Sequence, residues 1–255
     1  MNVGVVIALL TAVLFAPAPA SAQEWIEYQN IPDGFKINFP GQPRISESKW
    51  TTEFGYVLPA RIYTANRGKE RYTVTVVDYA PIQALGEAKI KTCPAGAEPC
   101  SGSELSGPSY WKHDVRGAII YATSKLFERN AKVTRFHWSH MDLVEGHQLQ
   151  LTNADNSRTF AFIAMHQMKL YITEGTVPPG APEPGLFQQS VGWVDGAGNG
   201  IRYQTIYANQ FNGLSDAPGV RGGRGRGGDG RHRVEHDPLL GQRYELRVRP
   251  GVRTR

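Results

Sequence analysis

The feature that most constrains this chain is a set of short runs in which apolar and polar residues alternate. Phe35, Ile37 and Phe39 alternate with Lys36 and Asn38, and His147-Gln148-Leu149-Gln150-Leu151 repeats the pattern. Side chains in a strand point alternately to opposite faces, so such runs are half-buried strands. Pro40-Gly41-Gln42-Pro43 ends the first run, because two prolines and a glycine break a ladder. Arg61-Ile62-Tyr63 and Tyr72 to Val77 read as two more strands, separated by a turn at Ala65-Asn66-Arg67-Gly68. Arg135 to His140, Thr159 to Met165 and Lys169 to Thr173 join His147 to Leu151 in a meander, with a turn signal at Asn153 to Ser157. A last strand is expected over Ile201 to Ala208.

Two segments keep a different period. Val115, Ala118, Ile119, Ala122 and Leu126 fall on one helical stripe within Asp114 to Arg129, with Asp114 placed to cap the N-terminus. Phe187, Ser190, Val191 and Val194 repeat that spacing within Gly185 to Val194, and Gln83 to Ile90 gives a third, shorter helix. Strands in clusters with helices between them indicate an α+β fold, an antiparallel β-sheet flanked by helices. The alternative is an all-β sandwich with added helices.

The N-terminus reads as an export signal. Val3 to Phe15 is apolar apart from Gly4 and Thr11, and Ala20-Ser21-Ala22 offers a cleavage site before Gln23. Thirteen helical residues span about 20 Å, short of the roughly 30 Å hydrocarbon core, so a permanent anchor is not expected. The expected organisation is a signal peptide over 1–22, one α+β domain over 23–210 and a disordered tail over 211–255. A periplasmic or secreted address follows. Cys93 and Cys100 are then expected to pair, closing an eight-residue loop worth about 2.5 kcal/mol in the chain-entropy model.

Charge is distributed unevenly. The chain carries 28 Lys and Arg against 23 Asp and Glu. The last 45 residues hold ten Arg, no Lys and five acids, so the whole excess of +5 lies there and the first 210 residues are neutral. The basic balance therefore gives no argument that the folded body binds nucleic acid. Val220 to Arg231 is an Arg/Gly run of the kind that meets RNA. In an exported protein an anionic surface such as lipid headgroups or envelope polysaccharide is a more consistent partner than RNA, and the plainer alternatives are a solvated extension without a partner or an out-of-frame reading of GC-rich DNA.

The run Asp33-Gly34-Phe35-Lys36-Ile37-Asn38-Phe39-Pro40-Gly41-Gln42-Pro43, then Tyr63, then Tyr72 to Tyr79, resembles the opening of PsbP-like exported bacterial proteins. Met168 to Ile172 followed by Phe187 to Val191 is similar to that group's tyrosine-bearing strand and final helix. The resemblance covers about Gln23 to Ala208 and implies a central antiparallel sheet flanked by helices. No ligand set transfers with it, and the Arg/Gly tail departs from it.

Candidate chemistry is sparse. His137, His140 and His147, with Asp142 and Glu145 between them, form the densest metal-like cluster, but residues three apart on a strand face opposite ways. Met165-His166-Gln167-Met168 mixes ligands that soft copper favours, at a place where Met also serves as core filler. The sequence has no G-x-S-x-G, H-E-x-x-H or P-loop pattern. Ser103 and Ser106 have no evident base, Asp78 and Glu174 cannot be paired from sequence, and His232 and His236 lie in a weakly helical segment. No cofactor and no catalysis are expected. The expectation is a non-catalytic binding or accessory protein of the envelope, its partner an unknown protein or envelope component, not an integral membrane protein. The alternatives are an enzyme or small-ligand carrier with a site assembled from distant residues, or a metal-handling protein.

Overall fold

The computed structural model describes residues 24–92 and 110–208. The segment expected to be an export signal, with Ala22 and Gln23, the segment that holds Cys93, Cys100, Ser103 and Ser106, and the Arg/Gly-rich segment with His232 and His236 lie outside the described residues.

The strands are β1 (Ile26–Asn30), β2 (Phe35–Phe39), β3 (Arg44–Thr51), β4 (Val57–Arg67) and β5 (Glu70–Asp78). Helices α1 (Ile82–Lys91) and α2 (Tyr110–Phe127) follow. Then come β6 (Ala131–Met141), β7 (Val144–Asn153), β8 (Arg158–His166), β9 (Lys169–Val177), the short α3 (Gly185–Gln188) and β10 (Gly192–Trp193). Two antiparallel sheets result. One has seven strands in the order β3-β4-β5-β9-β8-β7-β6, the other three in the order β1-β2-β10.

The alternation in the sequence decides what lies on each side of the larger sheet. Val77, Leu149, Leu151, Ile163, Met165 and Leu170 form one core with the α2 stripe Val115, Ala118, Ile119, Ala122 and Leu126. Their strand neighbours Val74, Val76, Phe162, Ala164 and Tyr171 form a second core with Phe35, Ile37, Phe39 and Trp193 of the smaller sheet. The larger sheet is thus sandwiched between α2 and the three-stranded sheet. β8 is buried on both faces from Thr159 to His166, which is why its sequence is continuously apolar rather than alternating.

Several expectations are corrected. Asp114 is not a cap, since α2 begins one turn earlier at Tyr110. Its buried carboxylate accepts a hydrogen bond from the Thr52 hydroxyl (2.5 Å) and one from the Phe54 backbone N–H (3.2 Å), tying the helix to the β3–β4 connection. Burial pushes that carboxyl above its ordinary value. The helix expected over Gly185 to Val194 stops at Gln188, because Gly192 and Trp193 pair with Lys36 and Phe35 instead. The strand expected over Ile201 to Ala208 is reduced to one bridged residue, Tyr207, which pairs in parallel with Val144. The turn placed at Ala65 to Gly68 is shifted. The ladder runs on to Arg67 opposite Glu70, and Gly68 takes the left-handed conformation that the tight turn needs (φ +57°). β1 and β3 are strands in addition to those expected.

Gly146 on β7 is required by space rather than by dihedral. A methyl group there would fall on the Ile163 carbonyl oxygen and within 2.8 Å of the Phe162 ring. Gly146→Ala is expected to destabilise the fold by about 2 kcal/mol through overpacking. A urea-unfolding midpoint equal to that of the wild type would show instead that β8 yields at no cost.

Candidate binding face

β6 ends the seven-stranded sheet, and its central residues Lys132 to Trp138 are all exposed. Val133 and Phe136 lie three apart and would ordinarily face opposite ways. A bulge between Val133 and Arg135 changes this. Val133 lies opposite Leu151, Phe136 opposite Leu149 and Trp138 opposite His147, all on the α2 side of the sheet. Arg116, Ile120 and Phe127 run along the neighbouring flank of α2 at helical spacing. The Phe127 and Phe136 rings meet edge to face at 5.3 Å and close one end of the seam. At the other end lies a cleft of about 170 Å³, lined by Arg116, Ile119, Ile120, Trp138, Glu145, Gly146 and His147. Ile120 is 67% exposed and Trp138 56%, which is unusual for side chains of this size.

His147 is the polar group of this cleft whose state the geometry fixes. The Thr123 hydroxyl has one proton and donates it to the Ile119 carbonyl at 2.8 Å. Its contact with His147 Nδ1, also 2.8 Å, must then be a bond it accepts. Nδ1 therefore carries the proton, and in the neutral ring Nε2 is an acceptor. Burial holds this imidazole below its ordinary pKa, against the opposing pull of Glu145. The floor of the cleft thus offers a neutral hydrogen-bond acceptor beside an indole and a guanidinium.

The three histidines do not converge. His140 and His147 are on the α2 side of the sheet, whereas His137 faces the other way and donates from Nδ1 to the Trp138 carbonyl (2.8 Å). Among the described residues no group of three or more His, Cys, Asp or Glu side chains could hold a metal ion. The Met165 to Met168 set is divided as well. Met165 and Met168 pack in the core beneath α2, while His166 lies across the sheet against Trp193, Tyr203 and Tyr207. Its Nε2 bonds the Tyr203 hydroxyl at 2.6 Å, and its buried Nδ1 has no partner. Asp78 accepts the Ala80 N–H and Glu174 pairs with Arg129, so these carboxylates are not brought together.

A second polar group was not legible in the sequence. Asp33, in the turn between β1 and β2, is 1% exposed and accepts hydrogen bonds from Arg61 and the Tyr63 hydroxyl. Its own carbonyl accepts from the Tyr171 hydroxyl at 2.6 Å. Burial and the bond to Asp33 raise the Tyr63 phenol far above its ordinary value. A cleft of about 200 Å³ lies beside this node, lined by Glu47, Arg61 and Asp78 among others. Every polar atom of the Asp33 carboxylate is already engaged by the protein, which makes the node a clamp between the two sheets.

No family model matches this chain, and no curated protein matches it. Among solved structures, the solution structure of cyanobacterial PsbP (CyanoP) from Synechocystis sp. PCC 6803 matches at 11% identity and a TM-score of 0.32, covering 65% of this chain and 87% of that one. A likeness at that score carries no argument about what this chain does. Among the described residues no helix is long and apolar enough to cross a membrane.

Proposed function

We propose that the protein is an exported, non-catalytic binding or accessory protein of the cell envelope, PsbP-like in architecture, that meets its partner through the α2–β6 face. One observation carries the reading. Of the eleven large apolar side chains exposed among the described residues, Ile120, Phe127, Val133, Phe136 and Trp138 gather at this one seam. Single exposed apolar residues need no explanation, but a contiguous set marks an interaction surface. The export signal over 1–22 and the Cys93–Cys100 pair supply the periplasmic or secreted address. The PsbP-like architecture rests on the strand and turn pattern of the sequence.

A photo-crosslinking residue placed at Trp138 or Ile120 in the producing cells is expected to give a defined adduct, and the same residue at Ile45 on the far edge strand none. Equal labelling at all three positions, or none at any, removes the reading. The second reading is a small-ligand carrier, favoured by the fixed acceptor of His147 in its cleft. A volume of about 170 Å³ is small beside the roughly 300 Å³ at which ligand pockets begin, so this reading ranks second.

A further inference from the structure

We propose that the partner of this face is an extended, acid-bearing segment of another protein, which adds to the open edge of β6 as a further strand. This rests on the binding face proposed above and names what that face meets. The register of β6 carries the argument. The bulge that brings Val133 and Phe136 to the α2 side also brings Lys132 and Arg135 together on the other side, opposite Thr152 and Gln150. His137 follows them there, opposite Gln148. The next strand continues these rows with Arg158, Phe160 and Phe162, so no acid stands in any of them. Glu145 is opposite His140, on the α2 side. Lys132 and Arg135 are exposed and form no ion pair among the described residues. One edge strand thus offers apolar rings on one side and cations on the other, and among the described residues no strand covers its outer edge.

Strand addition takes its affinity from main-chain hydrogen bonds along an edge and its specificity from alternate side chains. Past the bulge, Arg135 to Met141 keeps unbroken register with Gln150 to Val144, so that stretch is regular enough to template a neighbour. An incoming strand sets its residues alternately beside Phe136 and Trp138 and beside Arg135 and His137. Its sequence must therefore alternate apolar residues with Asp or Glu. A second copy does not fit, because Ala131–Met141 holds Lys132 and Arg135 and no acid, and like charges facing across strands repel. Cations on an edge ordinarily serve to keep copies apart. Here they do so while still attracting an acidic strand, and the exposed rings beside them are what a merely guarded edge does without. The opposite edge lacks this chemistry. β3 carries Glu47 between Arg44 and Lys49, and Ile45 alone of its large apolar side chains is exposed.

The probe is a short fluorescein-labelled peptide alternating Glu with Val and Phe, titrated by anisotropy against the full-length protein. One control carries Lys in place of Glu, and a second has the same residues with all acids first. Binding to the alternating acidic peptide is expected to be about tenfold tighter than to either control. Lys132→Glu combined with Arg135→Glu is expected to weaken the acidic peptide about tenfold and to strengthen the lysine peptide. Amide exchange in Arg135 to Met141 is expected to slow when the acidic peptide is bound, with Arg44–Thr51 unchanged, an effect that charge attraction without strand pairing does not produce. The substituted side chains are exposed, so the variant retains the wild-type circular-dichroism spectrum. Equal affinity for all the peptides, no effect of the double substitution, or binding without slowed exchange overturns the proposal. If no peptide binds while the crosslinker at Trp138 captures a partner, the strand proposal falls and the binding face stands. If neither gives a signal, both fall.

Discussion

Replacing Asp33 by alanine is expected to lower the stability of the fold by about 3 kcal/mol, a large part of the 5–15 kcal/mol typical of a domain. The carboxylate is buried and holds Arg61 and Tyr63 together. Tyr63 is fully buried, so its hydroxyl would be left without an acceptor and without access to water. The Arg61 side chain is 41% exposed and can turn into solvent, which limits the loss. The same turn is held by the Asn30 side chain on the Asp33 N–H (2.9 Å) and by Tyr171 on the Asp33 carbonyl, so it joins the three-stranded sheet to the larger one. Loss of the clamp should therefore open β1 and β2 first. The check is urea unfolding combined with amide exchange. The expected result is a midpoint shift of the stated size, with exchange accelerated in Ile26–Asn30 and Phe35–Phe39 before the rest. Asp33→Asn keeps the shape and an acceptor for Tyr63, and is expected to lose less. A loss below about 1 kcal/mol in Asp33→Ala would mean that the two sheets hold together by apolar contact alone.

The parts of the fold legible in the sequence are those where one face is buried and the other is not. β2, β5 and β7 alternate and were placed from that alone. β3 is exposed along nearly its whole length, so Arg44 to Thr51 shows no apolar period, and only its pairing with β4 makes it a strand. Two hairpins turn without glycine or asparagine: Asp142-Leu143 (φ 44° and 61°) and Gln167-Met168 (φ 47° and 61°) adopt the left-handed conformation under the constraint of the flanking ladders. Tyr203 and Tyr207 fall where the sequence leads one to expect a strand, but they are drawn onto the His166 ring at 5.8 and 5.0 Å and hold their segment out of the sheet. The candidate face was partly legible. His147 stood out as a metal-like residue, yet its state depends on Thr123, 24 residues away across the sheet. The bulge at Val133/Arg135 leaves no mark in the residue pattern, and without it Val133 and Phe136 would lie on opposite faces. Exposure of Trp138 is a property of an edge strand, which only the strand order reveals.

Acidification is expected to destabilise the protein through His166, and the effect can be isolated. Burial, with a smaller contribution from Lys169, lowers this imidazole from 6.5 to about 3 in the folded state. The unfolded chain therefore binds the proton that the folded chain refuses. Stability is full above pH 6.5 and falls by about 1.4 kcal/mol for each pH unit below it until about pH 3, so roughly 3 kcal/mol is gone by pH 4. The surroundings explain why the proton is refused. Trp193 lies over the ring at 4.7 Å, Tyr203 and Tyr207 flank it, and Nδ1 has no acceptor to receive a proton's charge. Other groups also titrate in this range. His147 adds a loss in the same direction, as do Glu70, Asp155 and Asp195, whose carboxyls are held below their ordinary values, while Asp114 opposes them. A comparison of wild type with His166→Gln cancels these shared contributions. The glutamine is neutral at every pH and retains a donor and an acceptor for the Tyr203 hydroxyl. It will cost some stability at pH 7 through lost ring packing, so the informative quantity is the change in the difference between the two proteins. Urea unfolding at pH 7 and at pH 4 is expected to show that difference shrinking by roughly 3 kcal/mol, or reversing. Parallel pH profiles would mean that water or a proton acceptor reaches Nδ1, and the buried, neutral ring would have to be given up.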